Sequence, residues 1–286
     1  MKQYIKLMRP KHYIKNLLLF FPIVFSGSLL DVSLLLKCIY GFAAFSLITS
    51  VIYIVNDIMD AENDRQHPTK CGRPIASRKI TPVQAGVFAV VLFVIGLLFQ
   101  FFACAFAPAP WGLLLAYVIL NVIYSLGLKN VVIVDVAILV SGFLIRVLYG
   151  AVVTDIAVSS WLYLTVIALS FYLALGKRRN ELVQKGDTRK VLKFYSHAFL
   201  DKNMYLCLTL AIAFYSLWCV DPVTIAHHGH TGIIFTVPLV ILICMKYSLT
   251  IEGLSDGDPV EVILKDKVLM ALVAVYAVTM LCLIYI

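Results

Sequence analysis

The feature that most constrains this chain is a series of apolar runs, each near the ~20 residues that a helix needs to cross a bilayer. About nine are predicted, at roughly 16–36, 38–58, 82–106, 110–128, 131–150, 157–176, 203–220, 232–251 and 268–286. Runs of this length, separated by short polar stretches, specify helices. A barrel would show alternating segments of about 10 residues instead. The expected fold class is all-α: a polytopic membrane protein of about nine transmembrane helices, with the lipid bilayer as its solvent. Charge agrees. Only 14% of the residues are charged and 62% are hydrophobic, against ~25% charged in a typical soluble domain. Nucleic-acid binding and disorder both need more polar residues and are excluded. No soluble domain fits in the gaps, so residues 1–286 read as one transmembrane domain.

The formal net charge is +8, and in a membrane chain an excess of Lys and Arg first reports topology. Lys2, Lys6, Arg9, Lys11 and Lys15 precede the first run. Arg65, Lys70, Arg73, Arg78 and Lys79 follow the second. Lys177, Arg178, Arg179, Lys185, Arg189, Lys190, Lys193 and Lys202 follow the sixth. With nine spans, all of these fall on one side with Lys129, Lys265 and Lys267, and the other side holds Lys37 and little else. The expectation is a plasma-membrane protein with its N-terminus cytoplasmic and its C-terminus outside. Trp111, Trp161 and Trp218 lie near the outer ends, where interfacial tryptophans belong. No convincing cleavage site follows the first run, so it reads as a helix and not a removed signal. The seven cysteines form no CxxC pair and imply neither a disulfide framework nor a zinc site. His227, His228 and His230 read as an exposed polar loop.

The chemistry-bearing pattern is V-I-Y-I-V-N-D-I-M-D-A-E-N-D-R-Q-H-P, Val51 to Pro68. Asn56, Asp57, Asp60 and Asp64 follow directly on a span and project within a ~100° arc of one helical face. Pro68 then ends the helix. Carboxylates stacked so closely repel one another unless a cation lies between them. An all-oxygen set suits Mg²⁺, which keeps waters and bridges to substrate phosphates. Arg65, His67, Lys70, Arg73 and Arg78 come next. Acids beside a basic loop are what a metal–diphosphate site requires, because Arg and Lys hold the phosphate oxygens that the metal leaves. A purely structural salt-bridge patch is the other reading.

N-D-x-x-D-x-x-x-D at the end of the second helix resembles the first aspartate-rich motif of the UbiA superfamily of intramembrane transferases. The longer string N-D-I-M-D-A-E-N-D-R-Q-H-P-T-K-C-G-R-P-I-A-S, and R-P-K-H-Y-I-K-N from Arg9 to Asn16, are similar to its polyprenyl-phosphate phosphoribosyltransferase branch. The resemblance implies nine helices around a central cavity open to the cytoplasmic side. It implies Mg²⁺ held by Asp57, Asp60 and Asp64, with Asn56 orienting the cluster. The superfamily's second aspartate-rich motif follows helix six, where this chain reads L-G-K-R-R-N-E-L, Leu175 to Leu182. Lys177, Arg178 and Arg179 stand where aspartates would, which suits a second phosphate-bearing substrate. Tyr124 and Lys129, in Y-S-L-G-L-K, end span four on one face and resemble the superfamily's Tyr–Lys element that contacts diphosphate.

Asp135 and Arg146 lie inside span five, about 16 Å apart along a helix. A charge within a span marks function by default. Asp135 is the candidate for sugar or metal. Arg146 is either a substrate ligand or part of a buried structural pair. The resemblance then implies transfer of a 5-phosphoribosyl group from phosphoribosyl pyrophosphate to a polyprenyl phosphate of decaprenyl type, feeding cell-wall assembly. Arg65, Lys70, Arg73, Tyr124 and Lys129 would bind the donor phosphates. Lys11, Lys15, Asn16, Lys177 and Arg178 are candidates for the lipid phosphate or the ribose 5-phosphate, undivided between the two. An aromatic prenyltransferase of quinone or haem biosynthesis is one alternative. A transporter or non-catalytic membrane protein is the other, disfavoured because transporter sites sit near the midplane between internal repeats. A homo-oligomer is compatible with every reading.

Overall fold

The computed structural model describes residues 2–66, 70–183, 190–252 and 259–286. His67, Pro68, Lys185 and Arg189 lie outside the described residues, as does the side chain of Lys190. Every regular element among the described residues is helical. The α-helices are α1 (Lys2–Met8), α2 (Phe21–Phe25), α3 (Val32–Met59), α4 (Ala61–Gln66), α5 (Pro82–Cys104), α6 (Pro108–Leu126) and α7 (Val134–Thr154). They continue as α8 (Ser160–Val183), α9 (His197–Val220), α10 (Pro222–His228), α11 (Val237–Glu252), α12 (Pro259–Lys265) and α13 (Lys267–Tyr285). Among the described residues, eight are long and apolar enough to span a bilayer: α3, α5, α6, α7, α8, α9, Gly232–Glu252 and α13.

The expected first span, 16–36, is not one helix. Pro10–Phe20 is wound as 3₁₀, α2 follows, and the chain breaks at Gly27, whose φ of +66° suits glycine. A 3₁₀ turn rises ~2.0 Å per residue, so Pro10–Phe25 still reaches about 30 Å, the thickness of the hydrocarbon core.

The chain divides into two compact units. The first comprises Met1–Val24, Ser28–Leu126 and Ile145–Ile156. Its frame is α3 against α5. Asp31 caps α3 by accepting from Ser33 and Leu34 N–H, and a Thr81–Gln84 capping box starts α5 at Pro82. Gly96 lets α5 approach Leu47 and Ile48. On α5, Val83, Val87, Val90, Val94 and Leu98 recur at helical spacing and stay exposed, a face suited to lipid. Gly150 is the tightest crossing: a Cβ there would stand 1.9 Å from the Leu19 carbonyl oxygen. Gly150→Ala is therefore expected to destabilise the chain by about 3 kcal/mol, the upper end for overpacking, because backbone must move. Thermal unfolding in detergent checks this, and an unchanged midpoint contradicts it.

The second unit comprises Phe25–Gly27, Gly127–Leu144 and Ala157–Ile286. Here α8 runs along α9, around Tyr172, Leu200, Met204, Tyr247 and Ile251. Asp221 ends α9 and caps α10. The His227 and His228 rings pack edge to face, centroids 5.0 Å apart. His227 meets the Ser26 carbonyl at 3.0 Å, while His230 joins Leu283 O to Gly232 N–H. All seven cysteines are free thiols.

Candidate functional site

In the first unit, the expected single helical face through Asp64 is interrupted. α3 ends at Met59, Asp60 leaves the helical region (φ −91°, ψ 4°), and α4 restarts at Ala61. The backbone bonds Asp60 N–H to Asn56 O and Asp64 N–H to Asp60 O carry the register across the break. Asp57 and Asp64 therefore still meet, 2% and 5% exposed. Arg73 Nη1 donates to both, at 3.0 Å to Asp57 Oδ1 and 2.6 Å to Asp64 Oδ2. Arg9 Nη2 reaches the same Asp57 oxygen at 2.5 Å. Asp60 is half-buried and bonds to neither arginine. Asn56 accepts from Ser125 Oγ at 2.9 Å, which ties the end of α6 to the cluster.

Local sequence explains these positions. Pro10 disfavours a helical residue before it. Arg9 leaves the right-handed helix for the left-handed region (φ 56°, ψ 58°), with its guanidinium 4.8 Å above the Tyr53 ring. The loop carrying Arg73 is fastened by Lys6 Nζ to Gly72 O (2.9 Å) and by Arg65, which donates to Ala76 O and Glu62. Arg65 is thus engaged in holding the loop. Lys70 is half-buried on the 3₁₀ turn Lys70–Gly72. Lys11 is exposed and Lys15 half-buried on the 3₁₀ segment.

Asn16 is not at the start of a helix but fully buried. It donates to Ser46 Oγ (2.9 Å) and accepts from Arg146 Nε (2.7 Å). Arg146 also donates to Tyr117 Oη at 2.9 Å and lies over the Phe45 and Tyr117 rings. This buried network is an internal tie, the bland reading of Arg146. Tyr117→Phe is expected to lower stability by about 1–2 kcal/mol through the lost acceptor for a charged donor. Denaturation in detergent measures it, and no change would remove the network's structural role.

In the second unit, α8 continues through Val183, so Lys177, Arg178 and Arg179 lie on its last turns and not in a loop. Arg178 is fully buried. Its Nε donates to Asp135 Oδ2 at 2.5 Å and its Nη1 to Glu181 Oε2 at 2.5 Å. Asp135 is fully buried too, and its other oxygen accepts from Tyr195 Oη at 2.7 Å. Burial and the Asp135 carboxylate push the Tyr195 hydroxyl up to about 12, so it stays a donor. Tyr195 also accepts from Ile133 N–H (2.7 Å), holding a branched residue at φ 68° just before α7. Arg179 pairs with Asp201, and Lys177 is half-buried. Lys129 is half-buried on the turn Leu128–Asn130. Tyr124 is half-buried on α6. α6 stops at Leu126 and Gly127 takes φ 155°, so Tyr124 and Lys129 do not share a helical face as expected.

Among the described residues, no three His, Cys, Asp or Glu side chains converge as a ready cage. The Asp57–Asp64 pair nonetheless fits Mg²⁺. Its donors are all oxygen, both touch one cationic atom, and Mg²⁺ is bound through one or two carboxylates plus substrate phosphates.

A model of the UbiA prenyltransferase family matches residues 18–261. The chain belongs to the UbiA prenyltransferase family. It is thus a membrane transferase of many spans. The decaprenyl-phosphate phosphoribosyltransferase of Mycobacterium tuberculosis is 32% identical, over 96% of this chain and 92% of its own length. That of Mycolicibacterium smegmatis is 34% identical over 94% and 88%. Among solved structures, a UbiA homolog from Archaeoglobus fulgidus bound to DMAPP and Mg²⁺ superposes with a TM-score of 0.72 at 16% identity, covering 99% of both chains. That homolog has also been solved with Cd²⁺. These structures share the fold of this UbiA chain. Arg9, Ser125, Glu181 and Tyr195 are the residues that sequence reasoning missed.

Proposed function

We propose that this chain transfers a 5-phosphoribosyl group from phosphoribosyl pyrophosphate to a polyprenyl phosphate of decaprenyl type, releasing pyrophosphate. The carrying observation is the Arg9–Asp57–Arg73–Asp64 array, two buried acids with two partly exposed guanidiniums on them, which suits a divalent cation and a diphosphate. The phosphoribosyltransferase relatives, matched over nearly their whole length, support the choice of substrates. Lys177 and Arg178 in place of a second aspartate motif disfavour the aromatic prenyltransferase reading.

Asp57 and Asp64 would hold Mg²⁺, with Asp60 beside them and Asn56 orienting the set. When bound, the metal neutralises the charge that builds on the departing pyrophosphate. Arg9, Arg73, Lys70, Tyr124 and Lys129 bind and orient the donor phosphates. Lys11, Lys15 and Lys177 are left for the lipid phosphate or the ribose 5-phosphate. The acceptor is a phosphomonoester with a second pKa of about 6, already dianionic in the cell. It needs no general base. Its oxygen bonds to the anomeric carbon as the bond to pyrophosphate breaks, so an α donor gives a β-linked lipid.

The test is turnover by the purified chain in liposomes with labelled donor and acceptor. A β-linked lipid pentose phosphate with equimolar pyrophosphate is expected, abolished by chelation and restored by Mg²⁺. Full activity in excess chelator contradicts the metal's role. The proposed orientation has its own check. Cys71 is exposed on the basic loop, and an impermeant thiol reagent should reach it in inverted vesicles but not in intact cells. Labelling in intact cells contradicts a cytoplasmic site.

A further inference from the structure

We propose that Arg9 and Arg73 are placeholder cations: they neutralise Asp57 and Asp64 while the metal is absent, and exchange the carboxylates for the donor's diphosphate when it is present. This rests on the metal–diphosphate reading above. It makes metal and diphosphate binding interdependent.

The argument starts from burial. Two nearly buried carboxylates need compensating charge in every state of the protein. In the described structure that charge comes from two guanidiniums, and Arg73 Nη1 stands between the carboxylates where a bridging cation belongs. A divalent cation supplies the same charge. The guanidiniums it releases then match the negative diphosphate, whose oxygens suit their planar N–H forks. Both states are balanced, whereas metal alone leaves two uncompensated arginines beside it.

The arginines are placed to exchange. Their side chains are 22% and 27% exposed, against 0% for Arg178, whose pairing is structural. Neither stands on a spanning helix: Arg9 lies at the break between α1 and the 3₁₀ segment, and Arg73 beyond the turn Lys70–Gly72. Either can turn without moving α3. The Tyr53 ring beneath Arg9 keeps a released guanidinium close through a cation–π contact.

The test is equilibrium dialysis of the full chain in nanodiscs, using radioactive Mn²⁺ for Mg²⁺ and inorganic pyrophosphate for the donor, at matched free Mn²⁺. Pyrophosphate is expected to tighten Mn²⁺ binding to the wild type at least about tenfold. Arg9→Gln and Arg73→Gln are each expected to bind Mn²⁺ alone at least about fivefold tighter than wild type, and pyrophosphate at least about tenfold more weakly. The wild-type comparison needs no variant, and Arg9→Gln removes the more peripheral arginine. Variants that bind Mn²⁺ alone no tighter than wild type overturn the placeholder role and leave the metal reading standing. No protein-associated Mn²⁺ in the wild type, with or without pyrophosphate, overturns both.

Discussion

Asp64→Asn is expected to lower turnover at least about 100-fold while the chain stays folded and inserted. Asp57→Asn should do the same. Each substitution keeps the shape of the side chain and removes the charge that holds Mg²⁺ against water. The loss corresponds to about 3 kcal/mol of transition-state stabilisation. It falls on the reaction because Arg73 and Arg9 are partly exposed and can take water in place of the lost carboxylate. Initial rates in liposomes, read beside gel-filtration profiles and melting curves, separate the chemistry from the fold. An Asp64→Asn chain that keeps a tenth or more of wild-type turnover would show that this pair is not the site.

Arg178→Ala is expected to act on stability first. Removing the guanidinium strands Asp135, a carboxylate with no exposure, and breaking a pair of this kind costs about 3–5 kcal/mol. Asp135→Leu alone leaves Arg178 its Glu181 partner and is expected to cost less. The double substitution Asp135→Leu with Arg178→Met replaces the pair by apolar groups and should recover part of the lost stability, since Glu181 and the Tyr195 hydroxyl each lose a partner. Detergent melts compare the three variants with the wild type. Equal stability of Arg178→Ala and wild type would mean that the arginine is not held as described and would return it to the phosphate-binding candidates.

These two clusters show what a linear reading can and cannot see. Carboxylates abutting an apolar run are anomalous wherever the helix turns, so Asp57 and Asp64 were legible even though the helix breaks at Asp60. Arg9 was not, because its role depends on its own left-handed backbone and on an acid 48 positions away. Its local signals were the proline after it and its place at the head of R-P-K-H-Y-I-K-N. The pairing of Arg178 with Asp135 was not legible, because a basic residue at a helix end has the same sequence signature whether it is solvated or folded onto a carboxylate 43 positions away. The membrane architecture was legible throughout from run lengths. The exceptions were the 3₁₀ winding before α2 and the stop at Gly127, where backbone conformation rather than hydropathy decides.

One comparison bears most directly on the proposed activity. The purified chain, in liposomes with Mg²⁺, is offered phosphoribosyl pyrophosphate with polyprenyl phosphate, and in parallel prenyl diphosphate with hydroxybenzoate- and naphthoate-type acceptors. A lipid-linked pentose phosphate is expected in the first reaction and no prenylated aromatic in the second. A prenylated aromatic, with no lipid-linked pentose phosphate under matched conditions, would contradict the proposed activity.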